Sequence, residues 1–171
     1  MSIRLPDYID GKYNQLKTKI RKRLKEFSQV PESEYFYELC FCICTPQSKA
    51  KNAMQVVEKL KKSDFFHNPF NPINILSDKN HYIRFHNQKS KRLKKLIEDY
   101  PKVQKLLNSN TSAFEKRNEI KRIINGFGYK EASHFLRNIG YKFLNFAEKV
   151  QIPLDEIDLL FWSYETGEIL K

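Results

Sequence analysis

The chain has 171 residues, 40% of them hydrophobic and 13% aromatic, which suffices for one compact domain or two small lobes with an ordinary core and no staple. Its 31 Lys and Arg against 20 Asp and Glu leave a formal charge of +11, favouring polyanionic partners, nucleic acid first and an anionic membrane second. No apolar run approaches the roughly 20 residues that cross a bilayer, and MSIRLPDYIDGKY lacks the apolar stretch of a signal peptide, so a cytoplasmic protein with no membrane partner is expected.

Apolar positions recur at helical spacing almost throughout and alternating strand signals are scarce, so the fold class is all-α. A strongly basic helix runs from about Tyr8 to Phe27. Pro31 precedes a Glu-rich helix start that leads into LCFCIC, whose Cys40, Cys42 and Cys44 read as buried small hydrophobes in a reducing compartment. With no His in ligand spacing and no four-cysteine pattern, no metal is expected. Thr45 and Pro46 interrupt that helix, and Ser48 is placed to cap the next, whose apolar face carries Ala50, Ala53, Met54, Val57 and Leu60.

DFFHNPFNPIN, residues 64 to 74, is the clearest loop and is expected to connect two lobes. From Lys89, Leu93, Leu96, Ile97 and Tyr100 line one helical face, while KSKRLKK supplies a solvated one, until Pro101 kinks or ends the helix. Ser112 and Glu115 form a capping box for a helix carrying Ile120, Ile123 and Ile124.

That helix runs into NGFGYKEASHFLRNIGY, and the unit 117–139 reads as helix, Asn125-Gly126-Phe127-Gly128, helix: a helix-hairpin-helix. Gly126 and Gly128 open backbone angles closed to other residues and clear side chains from the turn, so a phosphate can approach the backbone. The second helix, starting near Lys130, points free N–H groups and its positive dipole end at that phosphate, independently of base sequence. Lys130 stands at the mouth of this anion site, where positive surroundings lower an amine's pKa and make it a nucleophile; simple pairing with phosphate is the competing role. His134, inside the second helix, reads as a structural hydrogen-bonding residue.

GFGYKEASHFLRNIGY resembles the hairpin of the second, archaeal and bacterial type of 8-oxoguanine DNA glycosylase/lyase, in the helix-hairpin-helix glycosylase superfamily. ELCFCICTPQSKAKNA and the terminal LDEIDLLFWSYETGEILK are similar to further parts of that family; residues 1 to 30 and 61 to 110 are less so. The resemblance implies one glycosylase unit of two helical lobes over 1–171, with DNA across the basic face and the lesion nucleotide flipped between the lobes. By the same resemblance Lys130 attacks C1′ of the damaged nucleotide and forms a Schiff base that permits β-elimination. Lys171 and Trp162, with Phe85, would bind the base, and Gln47 would lie near the gap it leaves. The implied partner is double-stranded DNA containing 8-oxoguanine or an abasic site, met by a monomer with no cofactor, in the cytoplasm at the nucleoid of a prokaryote.

The chain departs from the family pattern after RNIGY. Members continue through a segment ending in an aspartate that assists base departure, whereas here Tyr141 leads almost directly to FLNFAEKVQIPLDEIDLLFW. A nearby acid could stand in: Glu148 lies about the right distance after Lys130, although AEKV lacks the family context. The alternative is a catalytically impaired, damage-binding or nonspecific DNA-binding protein of the same fold, since binding depends mainly on the basic face and the hairpin.

Overall fold

The computed structural model describes residues 7–141 together with Glu156, Leu159, Leu160 and Ser163; Glu148, Trp162 and Lys171 lie outside the described residues. The described residues contain helices and turns and no strand. In chain order the α-helices are α1 (Asp7–Phe27), α2 (Tyr35–Cys44), α3 (Ala50–Lys62), α4 (Ile73–Ser77), α5 (His86–Leu107), α6 (Ala113–Ile123) and α7 (Tyr129–Asn138), with 3-10 turns at Glu32–Glu34 and Lys79–His81. None of them is long and apolar enough to cross a membrane.

The chain divides into two compact units, one of residues 1–30 and 136–171 and one of residues 31–135. The boundaries fall before Pro31 and within α7, so the stretch 64–74 lies inside the second unit and is not the connection expected of it. That stretch is held by burial. Phe65 is fully buried and Phe66 packs its ring on Phe36 and Tyr100, while the Asp64 carboxylate binds the His67 ring and the Asn68 amide. The stretch forms the turns its Pro and Asn residues favour, and these aromatic contacts anchor it within the unit.

In the first unit α1 turns Tyr13, Ile20 and Phe27, seven residues apart, onto one stripe that packs with Leu159 and Leu160. The Tyr13 hydroxyl donates to the Glu156 carboxylate, which also accepts from Arg21 Nε at 3.1 Å. Burial and the neighbouring carboxylate push the Tyr13 phenol up to about 12.

In the second unit α2 is the central helix, packing against both α3 and α5. It is buried on nearly every side, from Phe36 to Cys44, with Glu38 the one acidic residue among them. Its three cysteines are buried thiols outside any disulfide, and burial pushes the Cys44 thiol up to about 12. On α3 the buried stripe is Ala50, Ala53, Val56, Val57 and Leu60; Met54, expected on it, is exposed.

Helix α5 starts at His86, before the expected Lys89, and continues through Pro101 to Leu107. Leu93, Leu96, Tyr100, Val103 and Leu107 form one buried stripe across the proline, and this burial offsets the lost backbone hydrogen bond. Ser112 and Glu115 make the expected capping box at the start of α6. Lys116 on α6 then donates to the carbonyls of Leu107 and Ser109, at 2.9 and 2.7 Å, and secures the end of α5.

Candidate nucleic-acid interface

The hairpin is a tight turn between α6 and α7. Phe127 N–H donates to the Ile124 carbonyl at 3.2 Å, and Gly126 in the third position takes φ +87°, as a type II turn requires. Ile124 and Phe127 are buried on either side and fix the turn to the core. Gly128, contrary to the sequence expectation, takes no left-handed angle. Its N–H donates to the Glu131 carboxylate at 2.8 Å, so the protein's own acid takes one of the donors expected to face a phosphate. The N–H groups of Tyr129, Lys130 and Glu131 precede the first intrahelical bond, Ala132 N to Gly128 O at 3.2 Å.

Lys130 is exposed on this first turn of α7. The surroundings are electropositive: Lys121 Nζ lies 4.1 Å from the ring centre of the adjacent Tyr129, and the Arg117 guanidinium lies 5.2 Å from it. Tyr129 is itself 53% exposed, an aromatic face next to the lysine. His134 is half-buried further along α7.

Sequence reasoning missed Arg92. A Cβ on Gly126 would collide with the Arg92 guanidinium, so this side chain from α5 lies directly over the hairpin turn. The backbone angle requires glycine at 126, and a side chain there would also displace the arginine covering it. Arg92 stands in the basic run KSKRLKK, where nothing in the sequence separates it from its solvated neighbours.

Gln47 and Phe85 are both exposed, and both adopt left-handed backbone angles, φ 56° and 58°. Such angles cost a non-glycine residue on the order of 1 kcal/mol and persist only where the surroundings enforce them. Gln47 follows the end of α2, and Phe85 is the N-cap of α5, 49% exposed with the Arg84 guanidinium 5.4 Å from its ring. At that exposure Phe85 is not a core residue.

The two loops are bonded to each other. Ser48 does not cap α3, where Lys49 is the N-cap without a side-chain bond; its hydroxyl accepts the Arg84 N–H at 3.0 Å. Lys89, expected on a solvated face, is 2% exposed and donates to the Cys44 carbonyl at 2.8 Å, the Pro46 carbonyl at 2.6 Å and Ser48 Oγ at 3.3 Å. Burial, with Arg92 and Arg84 adding to it against the opposing effect of Cys44, brings the Lys89 ammonium down to about 8. Phe85, Lys89 and Arg92 are spaced i, i+4, i+7, so the start of α5 supports Phe85, the Gln47 loop and the hairpin from one helical face.

No cluster of metal-binding side chains occurs among the described residues. What the arrangement offers is a set of exposed cations, an aromatic face and a helix start, which suits a polyanion with stacking surfaces.

The family model for 8-oxoguanine DNA glycosylase of the helix-hairpin-helix type matches residues 20–149. An 8-oxoguanine DNA glycosylase/AP lyase of Fusobacterium nucleatum subsp. nucleatum is 34% identical, with 95% of this chain and 96% of the relative covered. The match extends over 210 positions, more than the 171 residues here, so part of the relative faces gaps in this chain. One from Methanocaldococcus jannaschii is 27% identical over 94% of this chain and 95% of its own length. The crystal structure of the 8-oxoguanine DNA glycosylase of that organism superposes with a TM-score of 0.79 at 25% identity, covering 96% of each chain. The structure of its glycosylase/lyase with a 15mer DNA containing 8-oxoguanine gives 0.73 at 26% identity, covering 94% of this chain and 98% of that one. On the extent of the family match and the identity to these relatives, the chain belongs to the 8-oxoguanine DNA glycosylase family of the helix-hairpin-helix type.

Proposed function

We propose that the chain excises 8-oxoguanine from double-stranded DNA and cleaves the resulting abasic strand, as a DNA N-glycosylase with associated AP lyase activity. The observation that carries this reading is Lys130, exposed beside Tyr129 and behind the Gly126 turn, in a chain of this family. The lysine amine attacks C1′, the C1′–N9 bond breaks and the base departs with the bonding pair. Opening of the sugar leaves a Schiff base at C1′, which acidifies the C2′ protons; loss of one expels the 3′ phosphate by β-elimination. Covalent catalysis divides one difficult displacement into easier steps. Extrusion of the nucleotide is required because the glycosidic carbon is inaccessible within the duplex.

The DNA backbone is held at the hairpin by α7 N–H groups, by Arg92 and by the cations around Tyr129. Phe85 stacks on the extruded base and Gln47 occupies the gap it leaves. Lys171 and Trp162 complete base recognition, and Glu148 is the acid proposed in place of the family's aspartate. The enzyme acts as a monomer without cofactor, in the cytoplasm at the nucleoid.

Lys130→Gln tests this. Wild type nicks a duplex with one 8-oxoguanine; the variant retains binding and loses nicking. If the variant nicks at the wild-type rate, another group is the nucleophile, and binding without nicking by wild type would make the chain a damage-binding protein.

A further inference from the structure

Lys89 is spent entirely inside the protein. An ammonium has three donors, and here all three are directed at Cys44 O, Pro46 O and Ser48 Oγ. Burying a charge is unfavourable unless it is well bonded, and the same carbonyls would be satisfied at the surface by water at no such cost. The acceptors are specific. Cys44 closes α2 and its carbonyl is one of the orphans of a helix end, and Pro46 and Ser48 flank Gln47 on both sides. Ser48 in turn holds the Arg84 N–H, so the chain of bonds runs from the residue before Gln47 to the residue before Phe85.

We infer that Lys89 is a positioning residue, which joins the 45–48 loop to the 82–85 loop and thereby holds Gln47 and Phe85 at one fixed separation for engagement of the extruded nucleotide. The inference rests on the function proposed above. Two exposed side chains on separate loops, each in a left-handed conformation, need such a tie, because independent loops would relax toward ordinary angles. The i, i+4 spacing from Phe85 to Lys89 makes the first turn of α5 the rigid element of the joint. Displacement of positioning groups by about 1 Å is enough to cost on the order of 10²-fold in rate.

The test compares two substrates under single-turnover conditions: a duplex with one 8-oxoguanine and the same duplex with a preformed abasic site. The second has no base to extrude or stack, so its cleavage depends less on the paired loops. For Lys89→Met the ratio of base excision to abasic cleavage falls by about tenfold from the wild-type value. Ser48→Ala, which leaves the ammonium in place, shifts the ratio in the same direction by about threefold and serves if Lys89→Met does not fold. An unchanged ratio in the folded variants, whether both rates fall together or neither falls, would overturn the positioning role and leave Lys89 a stabilising residue. Wild type inactive on both substrates would instead overturn the proposed function.

Discussion

The hairpin and the pair of loops at 45–48 and 82–85 are both turns that α5 supports, but they are built by opposite means. At the hairpin a glycine takes the left-handed angle, two buried side chains secure the turn, and Glu131 closes the helix start. At the paired loops, left-handed angles fall on Gln47 and Phe85, and a buried ammonium holds the backbone. A glycine turn is conformationally cheap, and here it leaves room for the Arg92 guanidinium against the backbone. A strained turn bearing a large side chain is costly, and it presents that side chain instead. The first design suits sequence-independent phosphate binding, the second the engagement of a base and of its vacancy.

The largest expected effect concerns the buried ammonium. Below pH 8 Lys89 is protonated in both folded and unfolded chains, and the native state bears the full cost of burying the charge. Between about 8 and the ordinary 10.5, the native amine is neutral while the unfolded one still holds its proton. The unfolded state then binds more protons, so the contribution of this group to stability rises with pH and levels off above 10.5. Cys44, at about 12, stays neutral through this window. Denaturant unfolding at pH 7 and pH 10 is expected to show wild type gaining up to about 3 kcal/mol relative to Lys89→Met. A parallel pH dependence of the two proteins would remove the buried charge from the account.

Next in size is Gly126→Ala. The substitution forces a Cβ into φ +87° and against Arg92, for an expected loss of about 1–2 kcal/mol in stability together with weaker DNA binding as the arginine is displaced. Arg92→Ala separates the two effects. It keeps the turn and removes the phosphate contact proposed for Arg92, so the slope of log affinity against log salt concentration is expected to become shallower by about 1. The smallest effect is at Gly128, where only the end of the Glu131 side chain stands near an added Cβ; Gly128→Ala is expected within about 0.5 kcal/mol of wild type by thermal unfolding. Equal losses at Gly126 and Gly128 would contradict the contrast between the two glycines.

The same contrast explains what the sequence disclosed. The hairpin was legible because glycine spacing, a capping box and the lysine after the turn are local signals, each with its own physical meaning. Resemblance then identified the family from those residues, and the described residues are helical as the apolar spacing predicts. The joint between the loops was not legible. Lys89 and Arg92 sit in KSKRLKK, and only the tertiary position of α5 turns the first inward and the second onto Gly126. Ser48 likewise reads as a helix cap and serves instead to bond a loop 36 residues away. The stretch 64–74 misled for the related reason that Pro and Asn advertise a linker, whereas the buried Phe65 and the ring contacts of Phe66 anchor it inside one unit. Local patterns carry backbone conformation; which polar side chain is buried depends on contacts distant in the chain.

The most direct test of the central claim is borohydride trapping on a duplex containing one 8-oxoguanine, with Lys130→Gln in parallel, read on a denaturing gel. A covalent protein–DNA band with wild type that disappears in the variant is the predicted result, since reduction captures the Schiff base on the Lys130 amine. A band of equal intensity in the variant, or none with wild type while binding persists, would contradict it.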